Sequence, residues 1–403
     1  MPREMKDSGI EWLGSIPSSW VLSKLGTLYT ERKTKVSDVD YPPLSVTMKG
    51  IVPQLATAAK TDAHDDRKLV CVGDFAINSR SDRRGSCGIS AYDGSVSLIN
   101  TILTPRKSMN PRYYNWLFHT TSFSDEFYSW GHGIVDDLWT TNWQDMKRIQ
   151  IPVPPLADQE TIANFLDKQC AEIDAVIAKT KATIEEYKAL KQSVITEAVT
   201  KGIRGDRPMK ESGIEWIGEI PSEWSLAELK MFCKVNNGKE ISNEVDKEAE
   251  GAIPVYGSGG VFKYTDNYMY DGTTVMFGRK GTLGKPLYVT GKVWVVDTMY
   301  YLTYSTNLIP KFNYYQLWAF DWLPHITQTA LPSIVASQIV ACKFAMPSLQ
   351  EQQELIDYLD KKCAEIDTLI EKKTALLEEM EALKKSIIFE YVTGKKGDKL
   401  KYL

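Results

Sequence analysis

From Leu166 onward the chain places an apolar or packing residue at alternating steps of four and three: Leu166, Cys170, Ile173, Ile177, Thr180, Ile184, Tyr187, Lys191, Val194 and Ala198. The same stepping returns through Leu359, Cys363, Ile366, Ile370, Lys373, Leu377, Met380, Lys384, Ile387 and Tyr391. A 3.5-residue repeat with charges in the other positions predicts two long helices with coiled-coil seams. One such seam could equally pack on its own domain, but two matching seams in one chain favour mutual pairing. Lys191 and Lys384 interrupt the seams at matching positions, as a polar residue that fixes register would. Pro152, Pro154, Pro155 and Pro347 mark the helix entries, and Gly202 and Gly394 the stops.

Outside the helices the pattern turns to short apolar and β-branched runs, at 68–77, 96–103, 273–277 and 292–304, separated by turns containing Gly and Asp. Aromatic stretches at 113–118 and 314–322 read as helices covering those strands. The chain also repeats itself. MKDSGIEWLGSIPSSW at 5–20 and MKESGIEWIGEIPSEW at 209–224 agree at 12 of 16 positions. LADQETIANFLDKQCAEIDAVI from Leu156 and LQEQQELIDYLDKKCAEIDTLI from Leu349 form a second pair. The segments between these blocks differ, so one frame presents two divergent inserts. The fold class this predicts is α+β, with two mixed α/β domains at 1–155 and 204–345, and helical segments at 156–203 and 346–403. Trp12, Trp20, Trp216 and Trp224 in the repeated box are expected to pack it onto the scaffold.

Composition narrows the class. The chain has 43% hydrophobic and 25% charged residues, as in a soluble globular protein, with no apolar run long enough to span a membrane. The opening MPREMKDSG has no apolar stretch like that of a signal peptide. Six cysteines without a C-x-x-C pair are expected to be free thiols in a reducing cytoplasm. The formal net charge is −4, but the acid is concentrated in the helices. Residues 346–393 carry 6 Lys/Arg against 11 Asp/Glu, while residues 21–150 carry 16 against 14. A local positive face for nucleic acid therefore stays open.

The candidate chemistry is cationic. Arg83 and Arg84 before Gly85 resemble Arg279 and Lys280 before Gly281, each pair between β-rich runs. Adjacent cations with a glycine that admits close backbone approach suit phosphates or guanine edges. A solvated basic hairpin is the plainer reading of either alone; the recurrence favours DNA contact. Lys285, Arg80 and Lys49 are added on charge, and Tyr264 as a residue that could stack on a base. The turn Gly257, Ser258, Gly259, Gly260 matches neither G-x-G-x-x-G nor a P-loop. The four histidines form no H-x-x-x-H or H-E-x-x-H pattern, and no G-x-S-x-G elbow occurs. No catalytic residue and no metal site is expected.

GIEWLGSIPSSW and GIEWIGEIPSEW, VPPLADQ and PSLQEQQ, and the paired CAEID helices resemble the specificity subunit (HsdS) of type I restriction–modification enzymes across almost the whole chain. PVYGSGG at 254–260, GRKGTLG at 278–284 and WVVDT at 294–298 look like a target-recognition domain of that family. The resemblance implies that each insert reads one half of a bipartite, asymmetric DNA site. It implies that the helices form an antiparallel coiled coil that sets the spacer and docks two methyltransferase subunits. Restriction subunits complete the complex, in a bacterial or archaeal cytoplasm. It implies that S-adenosylmethionine, ATP and Mg belong to the partner subunits, leaving this chain non-catalytic and without a cofactor. A pseudo-dimeric coiled-coil scaffold without DNA specificity is the alternative.

Overall fold

The computed structural model describes residues 3–55, 64–133, 139–305, 307–327 and 332–397. It divides into two compact units: 1–180 with 375–403, and 181–374. The two long helices, Leu156–Lys201 and Leu349–Val392, each contribute to both units.

Each unit repeats one plan. The repeated box folds as a small hairpin, Met5–Asp7 with Ser15–Pro17 and Met209–Glu211 with Glu219–Pro221. A two-stranded neck follows, pairing Val21–Lys24 with Gln150–Val153, and Ser225–Glu228 with Lys343–Met346. Beyond the neck stands the divergent sheet. In the first unit its strand order is Cys87–Ile89, Phe75–Asn78, Asn100–Pro105, Tyr29–Glu31. In the second unit the order is Cys233–Asn237, Met299–Tyr304, Tyr270–Gly278, Leu287–Val295, Ile253–Gly257, Gly260–Thr265. The aromatic stretches are helices, Pro111–Phe118 and Pro310–Ala319, each with proline in its first turn, where no intrahelical N–H is needed.

The P-x-L-x-x-Q lead-in has a structural cause. Gln159 and Gln352 are buried at the start of their long helices. Gln159 Nε2 donates to the Pro154 carbonyl at 2.8 Å, and its Oε1 accepts from Asn110 N at 2.9 Å. Gln352 does the same with the Pro347 carbonyl (3.1 Å) and Ile309 N (2.9 Å). One side chain thus satisfies the helix entry and clamps the aromatic helix to it. The tryptophans pack as expected. Trp20 and Trp224 are fully buried, and their indoles donate to Asp158 (3.1 Å) and Glu351 (2.8 Å) on the first turns of the long helices.

The seams face inward. Leu166, Cys170, Ile173 and Ile184 are buried, as are Leu359, Cys363 and Ile366, while Ile177, Ile370 and Leu377 are half-buried. The helices run antiparallel within each unit. In the first, Phe165 meets Tyr391 at 4.3 Å between ring centres, and Asp174 meets Lys384 at 2.6 Å. In the second, Asp367 meets Lys191 at 2.7 Å. The two seam lysines are therefore matched ion pairs between the helices. The seam also serves the domain cores: Leu166 packs among Trp20, Tyr113 and Phe118, and Leu359 among Trp224, Phe312 and Phe344. Gly202 and Gly394 end the helices with φ of 75°, which a side chain would strain.

Three β-runs are broken where the pattern suggested continuity. The run at 96–103 divides at residues 97–99 between Gly94–Val96 and Asn100–Pro105, which lie in separate sheets. The run at 68–77 divides into Arg67–Val70 and Phe75–Asn78, in separate sheets, because a turn with Gly73 at φ 88° intervenes. The run at 292–304 divides at residues 296–298 between Leu287–Val295 and Met299–Tyr304.

Candidate nucleic-acid interface

The cationic loops cap β-hairpins in both units. Residues 79–86 join Phe75–Asn78 to Cys87–Ile89, and residues 279–286 join Tyr270–Gly278 to Leu287–Val295. Backbone hydrogen bonds brace both loops alike. Ser79 N donates to Ile99 O (3.2 Å), and Thr141 N to Ser79 O (3.0 Å). Arg279 N donates to Thr298 O (2.8 Å), and Ile334 N to Arg279 O (3.0 Å). Arg80 then bridges Thr140 as Lys280 bridges Ser333. This corrects the alignment drawn from the string similarity. Ser79 and Arg80 occupy the places of Arg279 and Lys280, and Arg83 and Arg84 come later in their loop. Main-chain bracing fixes position here, and short sequence likeness does not reveal it.

In the first unit Asn78 Oδ1 accepts from Arg80 N (3.0 Å), and a 3-10 turn at Ser81–Arg83 presents the arginines. Arg80, Arg83 and Arg84 are exposed and line an open cleft of about 770 Å³. Arg84 lies over the Tyr128 ring at 5.3 Å and 3.5 Å from Asp125, while Arg83 lies 3.6 Å from Asp82. The Tyr128 hydroxyl donates to the carbonyls of Asn78 (3.2 Å) and Arg83 (3.3 Å), and burial pushes its pKa up, keeping it a donor. The carboxylates are exposed, so these ion pairs are weak and readily exchanged for phosphates or base edges.

In the second unit Arg279 lies over Tyr300 at 5.9 Å, and the Tyr300 hydroxyl donates to the Ile334 carbonyl (3.3 Å). Lys280 and Lys285 are exposed on opposite limbs of the loop. Lys49 is exposed at the tip of the hairpin Leu44–Thr47 and Gly50–Pro53, where it opens on a neighbouring groove with Arg112 and Asp167. Tyr264 is half-buried and pairs with Pro254, four residues up its strand from the Gly257–Gly260 turn, about 13 Å at 3.3 Å per residue. It is the candidate least well placed to reach the cationic loop. Sequence reasoning passed over the tyrosine floors, Tyr128 and Tyr300, and the bracing residues Thr140 and Ser333. Only the three tyrosines of the 299–304 strand offered a signal for any of them.

Among the described residues, no group of three or more His, Cys, Asp or Glu is placed to hold a metal ion. No helix among them is long and apolar enough to cross a membrane. His64 pairs with Asp38, His119 is half-buried with its pKa lowered by desolvation, His132 lies near Asp145, and His325 stacks on Phe320. Cys342 lies 3.6 Å from His325, but burial pushes its thiol pKa up, the reverse of an activated nucleophile.

A family model described as the type I restriction modification DNA specificity domain matches the chain twice, at 56–186 and 221–379. The MjaVIII type I restriction enzyme specificity subunit of Methanocaldococcus jannaschii is 22% identical, over 94% of this chain and 93% of that protein. A specificity subunit attributed to the MjaX enzyme of the same organism is 23% identical over 95% of both. A chain solved in work on complex assembly and conformational transition of the type I R-M system superposes with TM-score 0.75 at 13% identity, covering 94% of this chain and 99% of that one.

Proposed function

The chain belongs to the type I restriction modification DNA specificity family, and from that premise we propose that each unit reads one half of a bipartite, asymmetric duplex site. The observation that carries this reading is the repetition of one braced cationic loop in two units whose surrounding sequences differ. Arginine offers bidentate contacts to guanine O6 and N7, and both arginine and lysine hold phosphates. Arg80, Arg83, Arg84 and Lys49 would serve the first half-site, and Arg279, Lys280, Lys285 and Tyr264 the second.

The long helices carry exposed Glu172, Glu185, Glu186, Glu371, Glu378 and Glu379 away from their seams. That acidic surface repels phosphates and suits protein partners, which we assign as two modification subunits that bind S-adenosylmethionine. Restriction subunits supply the ATP- and Mg-dependent steps, and the complex acts in the cytoplasm. Each long helix contributes to both units, and helix length would set the spacer between the half-sites.

Retention of the full chain on duplex DNA tests the reading. Elution should depend steeply on salt, and Arg83→Ala with Arg84→Ala should flatten that dependence by one to two units. Salt-independent retention, or none, would leave the chain a protein scaffold.

A further inference from the structure

Each cationic loop lies beside the tip of a neighbouring hairpin, and each hairpin carries a large, mostly exposed apolar side chain, Met48 in the turn itself and Phe262 two residues into the returning strand. In the first unit, Thr47 pairs with Gly50, so Met48 and Lys49 form a two-residue turn. Thr47 Oγ1 donates to Gly50 O (2.9 Å) and accepts from Lys49 N (3.1 Å), which fixes the turn. Met48 is 71% exposed and lines the same cleft as Arg80, Arg83 and Arg84. The hairpin packs so closely on the strand after the loop that a Cβ on Gly88 would lie 2.8 Å from Gly50 Cα.

The second unit also sets a hairpin beside its cationic loop. Ile253–Gly257 runs beside Leu287–Val295, the strand that follows the cationic loop, and turns through Ser258 and Gly259 into Gly260–Thr265. A Cβ on Gly281 would stand 3.9 Å from Ser258 Oγ, so this tip adjoins Arg279 and Lys280. Phe262 is 56% exposed, and its ring lies over Gly257, where a Cβ would meet it at 3.2 Å. Glycine at 257 leaves room for the ring.

A lone exposed apolar residue needs no explanation. What does need one is its recurrence on a hairpin beside the cations in two units with different sequences. A two-stranded ribbon fits the DNA major groove, where the one apolar feature of a base edge is the thymine methyl. Bases also supply the desolvation that the protein does not. Resting on the proposed reading of duplex DNA, we infer that Met48 and Phe262 are specificity-determining residues, each contacting a thymine methyl in the half-site of its own unit.

The test uses the chain assembled with its modification subunits and duplexes carrying its mapped site. Each thymine is replaced in turn by uracil, which deletes only the methyl. One buried methyl amounts to about a threefold to fivefold loss of binding, expected at one thymine in each half-site. Met48→Ala should abolish that sensitivity in one half-site, and Phe262→Ala in the other. Met48→Leu and Phe262→Leu, which keep an apolar contact, should retain it. A half-site without thymine on either strand, no uracil effect in the parent, or an effect that survives both alanine variants would overturn the inference. The paired variants of Arg83 with Arg84 and of Arg279 with Lys280 separate the failures. If they weaken binding while the apolar variants do nothing, only the methyl contact falls; if they also do nothing, the DNA reading falls with it.

Discussion

Replacing Glu351 with Gln should cost far more than replacing Asp158 with Asn, although the two occupy the same place in the repeat. Glu351 is 4% exposed, and its carboxylate accepts from the Trp224 indole at 2.8 Å and from Arg207 at 2.6 Å. The Arg207 side chain is itself only 10% exposed, lies over Trp224 at 5.1 Å and donates to the Lys201 carbonyl at 2.8 Å. Breaking a buried pair from one side strands the other charge, at a cost of roughly 3–5 kcal/mol. Arg207 keeps a second, exposed partner in Glu223 at 3.1 Å, so we set the cost for Glu351→Gln at about 2–3 kcal/mol, below that range. Asp158 is looser: its side chain is 28% exposed, with Arg3 at 3.5 Å and the Trp20 indole at 3.1 Å. Losing that charge should cost about 1 kcal/mol or less. Amide hydrogen exchange read by peptide separates the units, since each reports its own opening free energy. Protection should fall in peptides covering 205–232 for Glu351→Gln, and only slightly in peptides covering 3–24 for Asp158→Asn. Equal losses in the two units would refute the argument that burial, and not the contact itself, sets the cost.

Three further outcomes follow from the geometry. Lys191→Asp should destabilise the second unit by about 1 kcal/mol, and Asp367→Lys in the same chain should recover most of it in urea unfolding, because the pair is half exposed; no recovery would mean the pair does not fix register. Arg83→Ala with Arg84→Ala should weaken recognition of one half-site, and Arg279→Ala with Lys280→Ala the other, by roughly 1–3 kcal/mol for each lost bidentate base contact, read as methylation of each half-site by the assembled enzyme. Native alkylation followed by peptide mapping should label the partly exposed Cys71 and Cys342 first; Cys87 and Cys233, buried and pushed up to about 12, should stay unlabelled until the chain unfolds.

The helical half of the fold was legible because a seam is a local periodicity: Leu166, Cys170 and Ile173 announce themselves by spacing alone. The tryptophan box was legible as packing because indoles this large have few other uses in so short a segment. The divergent sheets were less so. Nothing local tells that Arg67–Val70 and Phe75–Asn78 leave one apolar run for separate sheets. The bracing of Arg80 by Thr140, and of Lys280 by Ser333, joins residues more than fifty positions apart. Long-range main-chain bonds leave no periodicity behind, and for that reason the two loops were first aligned by their cations and not by their positions. Met48 and Phe262 carried no sequence signal either, since exposure on a hairpin depends on what the rest of the sheet covers.

Mapping methylated bases across the DNA of cells with and without this chain tests the central claim most directly. Two readers on one frame, with different sequences around their cationic loops, predict a single motif made of two unlike half-sites at a fixed gap, methylated only when the chain is present. A motif that persists without the chain, or one that is continuous or palindromic, would contradict the account.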